Sequence, residues 1–273
     1  MTNPIPPDNF VGARFIAPAP AKGTQPEGAT NEAEASRKVR EMFTQIAPRY
    51  DLLNHLLSLQ LDRLWRKRVA RQLRPILASP DATVLDLCCG TGDLSFALAR
   101  EGKARVYGAD FAHPMLVRAK LKNSMLSGAS PQLNANALPF LEADALRLPF
   151  ADSSFDLVTT AFGFRNLANY ESGLREIQRI LKPGGTIAIL EFTEPPDDFV
   201  GNVFRWYYRN VLPRIGALIS GDSSAYTYLP KSVARFFRPP ELASLMSAVG
   251  YQSVAFKTWT FGTVALHTAT RPR

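Results

Sequence analysis

The sequence predicts an α/β fold in which a mostly parallel sheet ends in an antiparallel hairpin. Three observations support this: short apolar runs alternate with stretches of helical spacing, one run ends in a glycine turn, and no helix separates the last two runs.

In chain order, residues 1–35 are rich in Pro, Ala, Gly and Thr without periodicity, too little apolar surface to offset ordering, and are expected to form a disordered tail. Over residues 36–75 the apolar positions Val39, Met42, Phe43, Ile46, Leu52, Leu56, Leu61, Leu64 and Val69 recur at three- and four-residue spacing. The pattern breaks at Pro48, which predicts at least two N-terminal amphipathic helices. Residues 82–89 then form a short strand that ends in Gly90-Thr91-Gly92, and a helix follows over 94–100. A second strand over 105–108 ends at Asp110 and leads into a helix over 114–126. Further strands are expected at 140–142 and 155–160. A helix over 172–181 is stopped by a Lys182-Pro183-Gly184-Gly185 turn, and a fifth strand follows over 186–192. A helix over 241–249 precedes strands at 254–259 and 263–268, which are joined at Phe261-Gly262. The segment 194–240 is an insert dense in aromatics: Phe199, Phe204, Trp206, Tyr207, Tyr208, Tyr226, Tyr228, Phe236 and Phe237. Residues 36–273 therefore read as one domain, with N-terminal helices over 36–75 and a substrate-side insert over 194–240.

With 32 Lys and Arg against 24 Asp and Glu, the net charge of +8 favours an anionic partner: nucleic acid, a phosphorylated substrate or an acidic membrane surface. No Asn/Asp-Pro-Pro-Tyr base-flipping motif and no appended RNA-binding module is present, so nucleic acid is not expected. The only cysteines, Cys88 and Cys89, are adjacent and lack metal-ligand spacing. They read as small buried hydrophobes in a reducing compartment, and no metal site is expected. No apolar stretch approaches the ~20 residues of a membrane span, and no signal pattern opens the chain, so a cytoplasmic location is expected.

The chemistry concentrates in Asp86-Leu87-Cys88-Cys89-Gly90-Thr91-Gly92-Asp93. Here glycines lie where a strand gives way to a helix, so backbone and a helix N-terminus can approach a ligand. Asp110, 18 residues beyond Gly92, ends the next strand and can accept hydrogen bonds from two ribose hydroxyls. That pair of acids suits either a dinucleotide or an adenosyl sulfonium. The third glycine of the dinucleotide fingerprint is missing, because Leu94 and Ser95 follow Asp93. Asp93 would also repel a pyrophosphate, whereas a cationic cofactor tolerates it. Asp144 and Ala145 follow the third strand, where an acid can pair with an adenine amine. Together with the Lys-Pro-Gly-Gly turn and the terminal hairpin, this resembles the layout of class I methyltransferases, a Rossmann-like fold with a seven-stranded sheet.

The resemblance narrows further. Tyr50-Asp51-Leu52-Leu53-Asn54, Ser58, Trp65, Phe162-Gly163-Phe164-Arg165-Asn166, the stretch from Arg179 to Glu191 and Tyr226-Thr227-Tyr228-Leu229-Pro230-Lys231-Ser232 make the chain similar to the UbiE/MenG quinone-biosynthesis C-methyltransferases, from Val39 to Ala269. It departs from the usual family pattern at Leu53, Asp62, Ala161 and Thr193, where Met, His, Ser and Ser are common. The resemblance implies S-adenosylmethionine as cofactor. Gly90, Thr91 and Gly92 would lie at its methionine part, Asp110 at the ribose, Asp144 and Ala145 at the adenine, and Ala161 at a minor contact; Asp86 belongs to the same site. It implies methylation of a ring carbon of a lipophilic prenylated hydroquinone: demethylmenaquinol, with the benzoquinol of ubiquinone synthesis or another small molecule as alternatives. Cofactor binding without turnover is the non-enzyme alternative.

A ring carbon attacks a methyl sulfonium only when a neighbouring hydroxyl gives up its proton. Arg165, after the fourth strand, is expected to stabilise the resulting phenolate, with a water or a carboxylate it poises as the base. Asp222 and Tyr226 in the insert are further catalytic candidates, while His113 and His55 read as a helix-start residue and a solvated one. The insert's aromatics suit an isoprenoid pocket. The basic run Arg63, Arg66, Lys67, Arg68, Arg71 and Arg74 suits an anionic membrane surface, at ~1 kcal/mol per residue, which would place the protein at the membrane's inner face. A homodimer is compatible with the sequence.

Overall fold

In the computed structural model, residues 23–51, 58, 60–127, 138–194, 201 and 224–273 are described. The first helix, α1, spans Glu32–Ile46 and begins four residues ahead of the expected start. Asn31 caps it by accepting the Glu34 N–H at 2.9 Å, and the Glu34 carboxylate reaches back to the Thr30 N–H and hydroxyl. Residues 23–31, expected in the disordered tail, instead take defined positions against the domain, with Thr24 buried. Residues 1–22 of that tail lie outside the described residues.

A 3₁₀ turn at Ala47–Arg49 carries Pro48, and α2 follows at Leu61–Gln72 with Trp65, Val69 and Ala70 turned inward. The alternation then runs β1 Thr83–Leu87, α3 Asp93–Glu101, β2 Arg105–Asp110, α4 His113–Ser127, β3 Phe140–Glu142, β4 Phe155–Ala161, α5 Tyr170–Ile180 and β5 Leu181–Phe192. After the insert come α6 Ser224–Arg235, α7 Pro239–Val249, β6 Gln252–Trp259 and β7 Val264–Thr270.

The seven strands are ordered β3-β2-β1-β4-β5-β7-β6. β1 to β5 are parallel, and β7 runs antiparallel between β5 and β6. Lys182-Pro183-Gly184-Gly185 is a bulge inside β5 rather than a turn ahead of it: Phe155 pairs with Leu181 and Leu157 with Thr186, so the four residues loop out, with Gly184 at φ +77°. The α2, α3 and α4 side chains Trp65, Leu94, Leu98 and Leu116 cover one sheet face. Leu174 and Ile177 of α5 and Leu242 and Met246 of α7 cover the other, each worth roughly 1.5–3 kcal/mol in burial. Connections run in opposite directions from β1 and β4, which opens a crevice at their carboxyl ends where open α/β sheets bind ligands.

Candidate active site

At the end of β1 the chain turns through left-handed conformations at Cys88 (φ +54°), Gly90 (φ +56°) and Gly92 (φ +87°), and Gly92 caps α3. A Cβ on Gly92 would lie 3.0 Å from the rings of Phe96 and Phe140, so both conformation and space require glycine there. The loop after β4 packs directly on this turn. A Cβ on Gly163 would meet the Cys88 Cβ at 2.3 Å, and Phe162 beside it has φ +61°.

Between the two loops lies a cavity of about 610 Å³, including its open mouth. Gly90, Asp110, Phe111, Met115, Asp144 and Ala145 line one side, Phe162, Gly163, Asn166 and Leu167 another, and Ser36, Phe43 and Tyr50 a third. Two carboxylates face it and no Lys, Arg or His lines it among the described residues. A pyrophosphate would be repelled by that lining, whereas the sulfonium, ammonium and adenosyl groups of S-adenosylmethionine fit it. Asp110 accepts the Gly90 N–H on Oδ2 and the Ala112 N–H on Oδ1, both at 2.9 Å. Burial pushes its pKa up to about 6 against those hydrogen bonds. Exposed Asp144 accepts the Leu146 N–H at 2.9 Å.

Four of the expected cofactor residues, Asp86, Thr91, Gly92 and Ala161, do not line this cavity. Asp86 is fully buried, and its carboxylate accepts the hydroxyls of Ser95 (2.6 Å) and Thr159 (3.0 Å). Burial raises its pKa to about 7, and it braces α3 against β4 rather than facing the main cavity. Thr91 and Ala161 border, with Asp86, a smaller hollow behind the turn. The Thr91 hydroxyl donates to Asp51 at 2.5 Å and accepts from Lys122 at 2.9 Å. Cys88 and Cys89 are free and half-buried rather than fully buried, and Cys88 lines both cavities. Burial, then the neighbouring Asp110 and Asp86 carboxylates, push both thiols well up, so they stay protonated.

The substrate side differs most from expectation. Arg165 is buried and does not line the cavity. Its Nη1 donates to Glu191 Oε2 at 2.8 Å and to the Phe162 carbonyl at 2.5 Å, while its backbone N–H donates to Glu191 Oε1 at 3.0 Å. Burial alone would lower the guanidinium pKa, but Glu191 outweighs it and raises the value. The charge expected to await a phenolate is thus already neutralised, and the pair instead holds the loop 162–166. Asp222 lies outside the described residues. Tyr226 falls within α6, where only its backbone is described. Of the insert's aromatics, Phe236 and Phe237 join the core around Tyr170 at 5.5 and 5.4 Å between ring centroids, rather than a separate pocket. Phe199, Phe204, Trp206, Tyr207 and Tyr208 lie outside the described residues, as does His55. His113 is exposed, with Nδ1 3.2 Å from Glu142.

Other residues of the site carried no assignment in the sequence. Lys122 projects from α4 to Asp51 (2.8 Å) and Asp93 (2.7 Å), which fastens the Tyr50-Asp51 segment over the glycine turn. Asp62, at the position where histidine is common in the family, pairs with Arg66 inside the fold, and Arg66 lies 3.9 Å from Asp93. Tyr50 and Asp51 were visible only as motif residues, and nothing in the periodicity of α4 distinguished Lys122.

Sheet order, glycine turn, strand-end acids and a cation-free cavity together define the class: a Rossmann-like S-adenosylmethionine-dependent methyltransferase. Solved structures agree on the fold. An S-adenosylmethionine-dependent methyltransferase of Thermotoga maritima, described as a possible histamine N-methyltransferase, has a TM-score of 0.60 at 18% identity, covering 85% of this chain and 99% of its own. The [4+2]-cyclase SpnF has a TM-score of 0.62 at 16% identity, covering 92% and 99%. Within that class the chain belongs to the ubiE/COQ5 methyltransferase family, which it matches over residues 30–271. Demethylmenaquinone methyltransferases of Thermus thermophilus and Deinococcus radiodurans are 48% and 47% identical, each over 85% of this chain and over 100% and 92% of their own lengths. A ubiquinone/menaquinone biosynthesis C-methyltransferase of Geobacter sulfurreducens is 38% identical over 86% of this chain and 89% of its own.

Proposed function

We propose that this chain methylates a ring carbon of demethylmenaquinol to form menaquinol. The observation that carries the choice of quinone is the similarity, along nearly their whole length, to relatives named demethylmenaquinone methyltransferase at 47–48% identity, against 38% for the relative named for both quinones. S-adenosylmethionine supplies an electrophilic methyl group. Asp110, ionised at neutral pH, accepts the ribose hydroxyls, while Asp144 and Ala145 border the adenine. The Arg165–Glu191 pair holds the 162–166 loop so that Phe162, Gly163 and Asn166 wall the cavity in which the methyl group would be presented. A ring carbon attacks as the neighbouring hydroxyl loses its proton to solvent. The carbon–methyl bond would form as the sulfur–methyl bond breaks; the ring C–H proton would then leave to solvent while the ring oxygen regains one, so that a single proton is released overall. The exposed Arg63, Lys67, Arg68, Arg71 and Arg74 with exposed Leu64 form the face that meets an anionic membrane; Arg66 of that run is buried on Asp62 and takes no part.

The test is turnover on paired substrates. S-adenosylhomocysteine should form with demethylmenaquinone reduced by dithionite and not with the electron-poor oxidised quinone. Equal rates in both states would refute ring-carbon attack, and methylation of a demethylated benzoquinol alone would overturn the choice of quinone.

A further inference from the structure

The residues just ahead of the family match, which begins at residue 30, form a strap across the cavity wall. The Thr24 N–H donates to the Leu167 carbonyl at 2.7 Å. Gly23 lies so close to the Ala168 carbonyl that a Cβ would fall 1.7 Å from its oxygen. The Gln25 and Glu27 carbonyls accept from Arg235 (3.1 Å) and Lys38 (2.8 Å). Leu167 and Ala168, which the strap grips, line the cavity.

One side chain of the strap carries the contact further. Thr24, 7% exposed, places its hydroxyl 2.9 Å from the Tyr228 hydroxyl, which lies 2.9 Å from Asn166 Oδ1. A phenol has one proton and a carboxamide oxygen has none, so Tyr228 donates to Asn166 and Thr24 donates to Tyr228. With Oδ1 taken, the Asn166 Nδ2 donor lies 3.4 Å from the Phe162 carbonyl in the loop that walls the cavity.

We propose that Thr24 is a positioning residue: through Tyr228 it sets the Asn166 carboxamide so that the N–H not given to the Phe162 carbonyl, and not the amide oxygen, serves an oxygen of the bound substrate. The identity of that substrate rests on the proposed function above; the relay does not. Without the Thr24 hydroxyl, Tyr228 loses the donor that leaves its own proton to Asn166 Oδ1, and the amide orientation is held less firmly.

Thr24→Val removes the hydroxyl at nearly constant shape, and Thr24→Ser restores it. For demethylmenaquinol, Val should lower kcat/KM about tenfold, the scale of one lost hydrogen bond, while S-adenosylhomocysteine affinity stays within about twofold and Ser recovers most of the loss. The Asn166 side-chain amide resonances should move in Val and return in Ser, a readout that needs no substrate. Unmoved resonances, or a Val variant as active as wild type, overturn the relay, as does a Val variant that loses cofactor affinity and melting temperature in step, since the strap would then be structural only. Moving resonances in a protein inactive on demethylmenaquinol would support the relay and sink the substrate.

Discussion

The two loops that wall the cavity are held in place by different means. The turn after β1 owes its shape to backbone: left-handed residues at 88, 90 and 92, with the Gly90 N–H donating to Asp110. The loop after β4 is held by side chains, two of them from distant parts of the chain. Glu191 grips Arg165, Tyr170 donates to the Arg165 carbonyl at 2.9 Å, and Tyr228 holds Asn166. A cradle made of backbone tolerates few substitutions and serves one ligand throughout a class of enzymes. A loop made of pairwise side-chain contacts can be retuned one partner at a time, which suits the half that meets the variable substrate.

The largest effect should come from breaking the second loop. Arg165→Met leaves Glu191, 1% exposed, as a buried charge without its partner, at a cost of about 3–5 kcal/mol in unfolding free energy. Urea denaturation should show that loss, and Arg165→Met with Glu191→Leu should recover much of it. An Arg165→Met protein as stable as wild type but inactive would return Arg165 to the substrate and abolish the contrast.

Next comes the first loop. Asp110→Ala should weaken cofactor binding roughly 10- to 100-fold by calorimetry, since each hydrogen bond to a charged group is worth ~1.5–3 kcal/mol and neighbouring oxygens recover part of it, and it should leave the fold intact. In the wild type, affinity should be flat above pH 6 and fall by up to about tenfold per pH unit below it, because the carboxylate with a pKa of about 6 must be ionised to accept. Stability of the cofactor-free protein takes the opposite sign. The folded-state pKa exceeds the ordinary value of 3.8, so this group's stabilising contribution is complete below about pH 4 and is lost as pH rises through 6. Affinity that rises as pH falls from 7 to 5 would remove Asp110 from the ribose.

The smallest effect sharpens the comparison at its margin. Lys122 joins the N-terminal segment to the backbone cradle through two carboxylates at 2.8 and 2.7 Å, yet its side chain is 27% exposed and partly screened. Lys122→Met should raise the cofactor dissociation constant about threefold and cost ~1 kcal/mol or less, and added salt should narrow the difference. A hundredfold loss would show the cradle to depend on side chains after all.

Reading ahead from sequence succeeded where neighbours along the chain decide the outcome. Gly90 and Asp110 stand at strand ends whose positions follow from alternating apolar runs, and both line the cavity. The start of α1 is not legible in the sequence because Asn31 and Glu34 close a local cap inside a segment whose composition suggests disorder. Lys182-Pro183-Gly184-Gly185 suits a turn and a bulge equally in sequence; only the pairing of Leu181 with Phe155 distinguishes them.

Periodicity, turn residues and strand-end acids determined, without any structure, an α/β sheet with a closing hairpin and a glycine turn at the end of its first strand, because each is a property of a short stretch of chain. Whether a polar side chain faces the ligand or the core depends on which partner packing brings to it. Asp86 turns inward because Thr159, 73 residues away, supplies a hydroxyl on the adjacent strand. Arg165 is held by Glu191, 26 residues on, and Thr24 meets Tyr228 across 204 residues. Burying a charge or a hydroxyl without such a partner is costly, so these pairings orient the site, and only the tertiary structure brings their members together.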